Sequence, residues 1–502
     1  MDGSVKPREE RTYGNWLKPR APGIGFLGVL PSMILMVGVI VTFMLTLFVG
    51  MAAAFVSLLV VLLIVLVLSV RDRHGLSLME RWSEMWAWRK RKSRGEHVFT
   101  TGISGRAGDG ALVLPGLLAD TDIAEGVDVY GRAFGVVCWE KLGLYSVVFM
   151  SEPEGDTLPD VDALDRRVAI FGQWIASLGL DQSVVQAQVI VENVPDNGER
   201  LSRNIHANVK DGIPDLAAQM MREVEELYPV DGSLIRSYMT VTFSSERPGG
   251  GKRRSRSEML TDLAVRMGGF AQGLAGTGAG AVRPLDKAGI VRAVRTAYVP
   301  GDESVFDAHE LVGEQLDVEW SEAGPQHTVA SKDLYEHDGV FSRSWVMTKA
   351  PEGLVVASTL KRLVSPDPDI AVKRVCLIYR PDTVGEASRI AVQDAKNASA
   401  RAGSSSRPGA RTTLEAKKAA QTEQEEAQGA GLTRFGMTIT ATAFDPADVP
   451  LTMSHVEDLA GTARIAIRPA YGLQDSAFIA GLPVGLVASR FAGVADATRG
   501  LM

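Results

Sequence analysis

Cysteine is almost absent from the 502 residues: Cys138 and Cys376 are the whole supply. That excludes a disulfide framework and any cysteine-rich zinc or iron–sulfur site, and it fits a body that sits mostly in the cytosol. A basic excess is absent too, with a net charge of −7 and a pI of about 5.7, which excludes general coating of nucleic acid. Charge of either sign is missing from Ala21 to Val70. Elsewhere the balance is ordinary, 46% hydrophobic and 23% charged, which rules out a chain disordered throughout.

The uncharged run accounts for the positive mean hydropathy of +0.06. A membrane span takes about 20 apolar residues, so the run is too long for one helix and sufficient for two. The reading is a transmembrane hairpin over 21–70. Its helices lie near Gly28–Phe48 and Met51–Val70, with a tight turn around Val49–Ala53. A cleaved signal peptide has an apolar stretch of only about 7–15 residues and does not fit. Both flanks are basic: Lys6, Arg8, Arg11, Lys18 and Arg20 before, Arg71, Arg73 and Arg81 to Arg94 after. The positive-inside rule then places the N-terminus (1–20) and the large C-terminal body in the cytoplasm, a multi-pass protein of the cell (inner) membrane. Within 71–97, Leu78–Lys92 (LMERWSEMWAWRKRK) carries Leu78, Met79, Trp82, Met85 and Trp86 as a helical stripe beside a basic cluster. That composition suits the membrane interface, the alternative being a stripe packed on the protein's own core.

The body reads as mixed α/β. In 98–245, strand patterns occur at Phe134–Trp139, Leu144–Met150, Val184–Glu192 and Ser237–Phe243, with helical patterns at Asp160–Leu178 and Ile213–Leu227. The segment 246–282 holds a Gly-rich basic loop, Glu246–Arg256, and a helix over Leu260–Leu274. In 283–486 a helix is expected at Leu285–Arg295 and strands at Ser342–Thr348, Val355–Thr359, Val372–Tyr379 and Gly436–Phe444. Inside that part, 384–429 is an Ala/Glu/Lys-rich insertion broken by Ala402–Arg411, read as two polar helices. A tail, 487–502, follows. No repeat with a period of 20–50 residues is visible. The fold class expected is a two-helix transmembrane hairpin plus a cytosolic mixed α/β (α+β) body with a long polar helical pair.

Motifs for chemistry fail one by one. The nearest phosphate cradle contains Gly251-Lys252, but Glu246 and Arg253 stand where glycine and a hydroxyl residue are required. Gly276–Gly280 follows no strong strand, so a dinucleotide loop is not supported. The histidines are His74, His97, His206, His309, His327, His337 and His455, and none pair at metal-ligand spacing along the chain. His309-Glu310 opens like a zinc-protease motif, but Gly313 takes the place of the second ligand. Asp156, Asp160, Asp162 and Asp165 read as a loop and a helix N-terminus. No positive case for an enzyme emerges: no catalytic, cofactor-binding or metal residue is assigned.

Order then carries a resemblance. The hairpin followed by a Trp-rich basic helix resembles the small two-helix inner-membrane subunit of type IV secretion and conjugation machines. The body resembles the amino-terminal, non-ATPase domain of the large conjugation ATPase. The stretches that carry it are Arg283–Pro300 (RPLDKAGIVRAVRTAYVP), Ser344–Val364 (SWVMTKAPEGLVVASTLKRLV), Val372–Arg380 and the polar helical pair. Phe435–Phe444 (FGMTITATAF) leading to Asp445, and Tyr471–Leu486 (YGLQDSAFIAGLPVGL), complete them. The likeness runs from about Met33 to Leu486 and leaves no room for the family's motor domain, so no nucleotide-binding residue is carried over. It implies a non-catalytic component that anchors and docks a separate secretion or conjugation ATPase, beside other channel subunits, in the lipid bilayer and as a homo-oligomer. The apolar end, Leu482–Met502, is the candidate docking surface, or else packs on its own domain. A membrane subunit of a type VII-like secretion complex is the alternative, and a membrane-anchored enzyme the third reading. Lys252–Arg256 offers charge to DNA or anionic lipid against the plainer reading of a solvated turn, so direct nucleic-acid contact stays open.

Overall fold

The computed structural model describes residues 29–69, 78–105, 110–153, 161–196, 198, 202, 205–206, 213–227, 232–247, 249–351, 355–403, 409–429 and 431–491. The basic residues of 1–20, Arg71, Arg73, Asp156, Asp160 and the tail beyond Phe491 fall outside them.

Two apolar helices come first, α1 (Val29–Phe48) and α2 (Met51–Ser69), joined through Val49 and Gly50. Both are long and apolar enough to cross a membrane, and most of their side chains are exposed. They pack closely where Gly38 meets Val61: a Cβ at Gly38 would lie 2.4 Å from a Val61 methyl. Thr42 and Ser57 hydroxyls sit 3.2 Å apart across the pair. Helix α3 (Leu78–Ser93) follows, then β1 (Val98–Thr100), β2 (Asp122–Val127), β3 (Ala133–Trp139), β4 (Leu144–Glu152) and α4 (Val161–Leu178). Next are β5 (Val184–Pro195), α5 (Asp215–Leu227), β6 (Ser233–Ser244), α6 (Arg256–Gly273), β7 (Ala281–Pro284), α7 (Lys287–Tyr298) and α8 (Glu303–Leu311). The second half of the body has β8 (His327–Ala330), β9 (Tyr335–His337), β10 (Val340–Lys349), α9 (Lys361–Val364) and β11 (Val372–Pro381). The polar pair α10 (Val384–Gly403) and α11 (Ala410–Ala427) comes next. Last are β12 (Thr433–Ala443), α12 (Val449–Thr462), β13 (Ala466–Pro469) and α13 (Gln474–Ala480).

Among the described residues, thirteen strands join one antiparallel sheet, ordered β1-β8-β9-β10-β12-β11-β5-β6-β4-β3-β2, with β13 beside β10 and β7 beside β4. Side chains alternate between its faces, as the two-residue strand period requires. On β4, Leu144 and Val148 enter the core that spans both halves, while Tyr145, Val147 and Phe149 enter a second core. On β11, Cys376 joins the shared core and Val375 a third one. Helices α7 and α13 cover the shared face. Helices α4 and α6 cover the opposite face of the first half, and α9 and α12 that of the second.

The register reveals an internal duplication. On β6, Met239 faces Phe149 of β4 and Val189 of β5; on β12, Ile439 faces Trp345 of β10 and Val375 of β11. Pro284 of β7 lies opposite Phe149, and Pro469 of β13 opposite Trp345. The halves join through β5 and β11, where Ile190 pairs with Cys376, Val191 with Val375 and Val189 with Leu377. Because Val189 corresponds to Val375, a pseudo-two-fold axis passes between Ile190 and Cys376. The duplicate parts also match in sequence: Tyr145-Ser146 and Phe341-Ser342, Thr240-Val241-Thr242 and Thr440-Ala441-Thr442, Ala281-Val282-Arg283-Pro284 and Ala466-Ile467-Arg468-Pro469.

One expected strand is absent. Val355–Thr359 forms a turn, closed by Val356 N–H donating to Thr359 Oγ1 at 3.0 Å and Thr359 N–H donating to Val356 O at 3.0 Å. A side-chain acceptor competes with the ladder there, and a short apolar run carries too little signal to show it. The polar insertion is a helical pair sealed by an alanine seam of Ala395, Ala398 and Ala419.

Candidate functional site

Helix α3 has two opposed faces. Positions three and four apart share a side of a helix, and Glu84, Trp88 and Arg91 all turn toward the body. Arg91 donates to Asp475 Oδ2 at 2.6 Å and to Gly472 O at 2.8 Å, Arg468 pairs with Glu84, and Trp88 lies against Gly472. The opposite side carries Leu78, Trp82 and Trp86, all exposed, with the Lys90 ammonium 5.2 Å from the Trp86 ring. The face that packs on the body is thus not the predicted stripe, whose Leu78, Trp82 and Trp86 stay exposed. Helix α3 joins the apolar hairpin to the second half of the body by fixed contacts.

The apolar end of the chain is not a free surface as far as Val487. Leu482, Val484, Leu486 and Val487 are buried in the shared core. Trp139 Nε1 donates to Val484 O at 3.0 Å, Gln186 Nε2 to Leu486 O at 3.0 Å, and Thr242 Oγ1 to Gly485 O at 3.1 Å. The docking reading for Leu482–Val487 is thus corrected: polar groups of β3, β5 and β6 bind this backbone and draw it onto its own sheet.

The basic loop is largely internally neutralised. Arg247 pairs with Glu258 at 3.0 Å, Arg254 with Asp262 at 2.8 Å, and Arg256 with Asp122 and Glu140 at 2.6 and 2.7 Å. Ser255 caps α6 through a reciprocal box with Glu258. The loop lies at the surface just before α6. His309 sits on α8 with Nδ1 2.9 Å from Val305 O. Gly276–Gly280 is the turn between α6 and β7. Cys138 and Cys376 are buried on opposite faces of the sheet, and burial pushes both thiols up to about 12, far from a reactive thiolate. His337 contacts Ser342 Oγ at 2.8 Å and Tyr298 O at 2.6 Å, but His337 and Ser342 are fully buried, and burial pushes the imidazole down to about 4. It serves the core rather than a substrate.

Two cavities among the described residues bear on the question. One, of about 260 Å³, is lined by Thr101, Arg295, Asp302 and Glu322, and Arg295 is already spent on Asp302 Oδ2 at 2.6 Å and Gly324 O at 2.6 Å. The other, about 310 Å³, opens between α12 and the loop ahead of β11 and is lined by Arg362, Asp367, Asp369, His455 and Asp458. His455 Nδ1 lies 3.3 Å from Asp369 Oδ2 and 3.8 Å from Asp367 Oδ1. One ligand atom from each of the three lies within 4.8 Å of the others. Beneath the loop, Lys373 is fully buried and donates to Ser365 O at 2.6 Å; burial pushes it down to about 8. Sequence spacing missed this cluster because only the fold brings α12 to that loop.

A family model described as a domain of unknown function, DUF8461, matches residues 20–80, which span the apolar hairpin, the junction and the first turn of α3. No curated protein matches the chain.

Proposed function

We propose that this protein is a non-catalytic membrane component of a conjugation (type IV secretion-like) apparatus, one that anchors and docks a separate motor ATPase. The observation that carries the reading is the two-sided helix α3: one face is ion-paired to the body, the other presents Trp82, Trp86 and Lys90 directly after two apolar helices. Tryptophan and lysine at that place suit the headgroup layer. Such a strut holds a large body at a fixed attitude to the bilayer, which is what a motor working across a membrane needs. The N-terminus and body lie in the cytoplasm in this reading, and the order of hairpin, basic helix and body is the order that the resemblance rests on. The duplicated body offers surfaces for a motor, for other channel subunits and for further copies of itself. Stable docking takes about 1,200 Å² of buried surface, and the exposed sides of α5 and the α10–α11 pair are available for it.

The test is purification of the tagged chain from its native membrane in detergent, with mass spectrometry of what comes with it. A stoichiometric ATPase together with channel subunits is the expected result. Recovery alone, or with type VII components only, would overturn the proposal.

A further inference from the structure

We infer that Asp367, Asp369 and His455 form a binding site for a divalent first-row transition cation, which clasps the loop before β11 to α12. Zinc bonds of about 2.0–2.2 Å to nitrogen and oxygen set neighbouring ligand atoms about 3.3 Å apart in a tetrahedral shell. The two separations from His455 Nδ1, 3.3 and 3.8 Å, match that spacing with little movement. One imidazole with two carboxylates suits zinc or manganese better than calcium or magnesium, which favour oxygen alone. The cavity leaves room for water to complete the shell.

The duplication supplies an independent observation, because the same turn occurs in the first half with a built-in cation. Ser183 N–H donates to Asp181 Oδ1 at 2.9 Å and Val184 N–H to Asp181 O at 3.0 Å. In the second half, Asp369 N–H donates to Asp367 Oδ1 at 3.1 Å and Ile370 N–H to Asp367 O at 3.1 Å. Asp181 thus corresponds to Asp367, and Ser183 to Asp369. In the first half the Arg266 guanidinium, from α6, binds Asp181 at 2.5 Å, Ser183 Oγ at 2.9 Å and Asp262 at 2.9 Å, and Arg254 binds Asp262 as well. The acids there are balanced. In the second half the serine becomes a second carboxylate, and α12 brings His455 and Asp458 where α6 brings Arg266. Asp367, Asp369 and Asp458 then line the cavity beside Arg362, and Lys373, buried beneath the loop, is engaged by Ser365 O. A bound cation does in the second half what the guanidinium does in the first.

The experiment uses the full chain in detergent, freed of any histidine tag, and titrates Zn²⁺ and Mn²⁺ by calorimetry with Mg²⁺ as comparator. The variants are Asp369→Ser, which installs the first half's own residue at a half-exposed position, and His455→Gln. One equivalent of Zn²⁺ binds the unaltered chain and raises its unfolding temperature. Each variant weakens binding by at least about tenfold, as loss of a ligand should. Zinc-edge absorption on the unaltered chain reads one imidazole nitrogen and carboxylate oxygens at about 2.0–2.1 Å. Zinc binding unchanged in both variants, a shell of sulfur or several imidazoles, Mg²⁺ binding as tightly as Zn²⁺, or no binding at all would each overturn the inference.

Discussion

Replacing Gly485 by alanine probes how the chain's end is seated. Gly485 has φ +68°, and a Cβ there would stand 2.1 Å from Ser146 Oγ and 2.4 Å from Thr242 Oγ1. Both hydroxyls are buried and bonded to each other at 2.9 Å, so neither swings aside freely. A left-handed conformation costs an alanine about 1–2 kcal/mol. Overpacking a tight core costs about 1–3 kcal/mol more. The sum, about 2–5 kcal/mol, opposes the seating of Leu482–Val487 on the sheet and favours its local opening. Hydrogen exchange read by mass spectrometry on the full chain in detergent measures that opening directly. About 3 kcal/mol corresponds to exchange faster by roughly a hundredfold in peptides covering the segment. Trp139 fluorescence should change in parallel, since its indole N–H is bonded to Val484 O. Exchange within threefold of the unaltered chain would refute the packing argument, because no clash at 2.1 Å is so cheap.

Other expectations follow from single contacts. Glu192 and Arg374 form a buried pair at 2.5 Å beside the pseudo-two-fold axis; Glu192→Ala should cost about 3–5 kcal/mol by chemical unfolding, and replacing both partners with apolar residues considerably less. Arg91→Ala should loosen α3 by about 1–3 kcal/mol, seen as tryptic cleavage near Arg94 at least about tenfold faster. His337, pushed down to about 4 by burial, binds its proton more readily once unfolded, near pH 6.5. Its contribution is therefore complete above about pH 6.5 and lost as the pH falls toward 4, about 3 kcal/mol in all. His337→Gln should flatten that limb of a stability–pH profile, and an unchanged limb would count against the assignment.

The hairpin was legible because a long uncharged run has few alternatives, and the long strands because Phe134–Trp139, Val184–Glu192 and Gly436–Phe444 are β-rich and bounded by breakers. The short strands β7 and β13 were not: Ala281–Pro284 and Ala466–Pro469 carry no two-residue alternation and exist only through their pairing with β4 and β10. The duplication escaped for a different reason. Its matching pieces, such as Thr240-x-Thr242 and Thr440-x-Thr442, lie far outside a 20–50-residue period, and the elements between them have diverged: α4 has 18 residues where α9 has four. Composition could not decide whether Leu482–Val487 covers a partner or its own sheet, because both uses want the same apolar residues. The choice is made by Gln186 and Thr242, which are distant in sequence. The Asp367, Asp369 and His455 cluster was hidden likewise, since its ligands come from separate elements.

The most direct test of a membrane-anchored cytoplasmic body is labelling of single introduced cysteines in intact cells with a membrane-impermeant maleimide. Both native cysteines are buried, so the background is low. The account predicts that Met51→Cys, at the hairpin tip, labels from outside, whereas Gly249→Cys, in the exposed loop before α6, labels only after the membrane is opened. Labelling of Gly249→Cys in intact cells, or shielding of both positions until lysis, would contradict it.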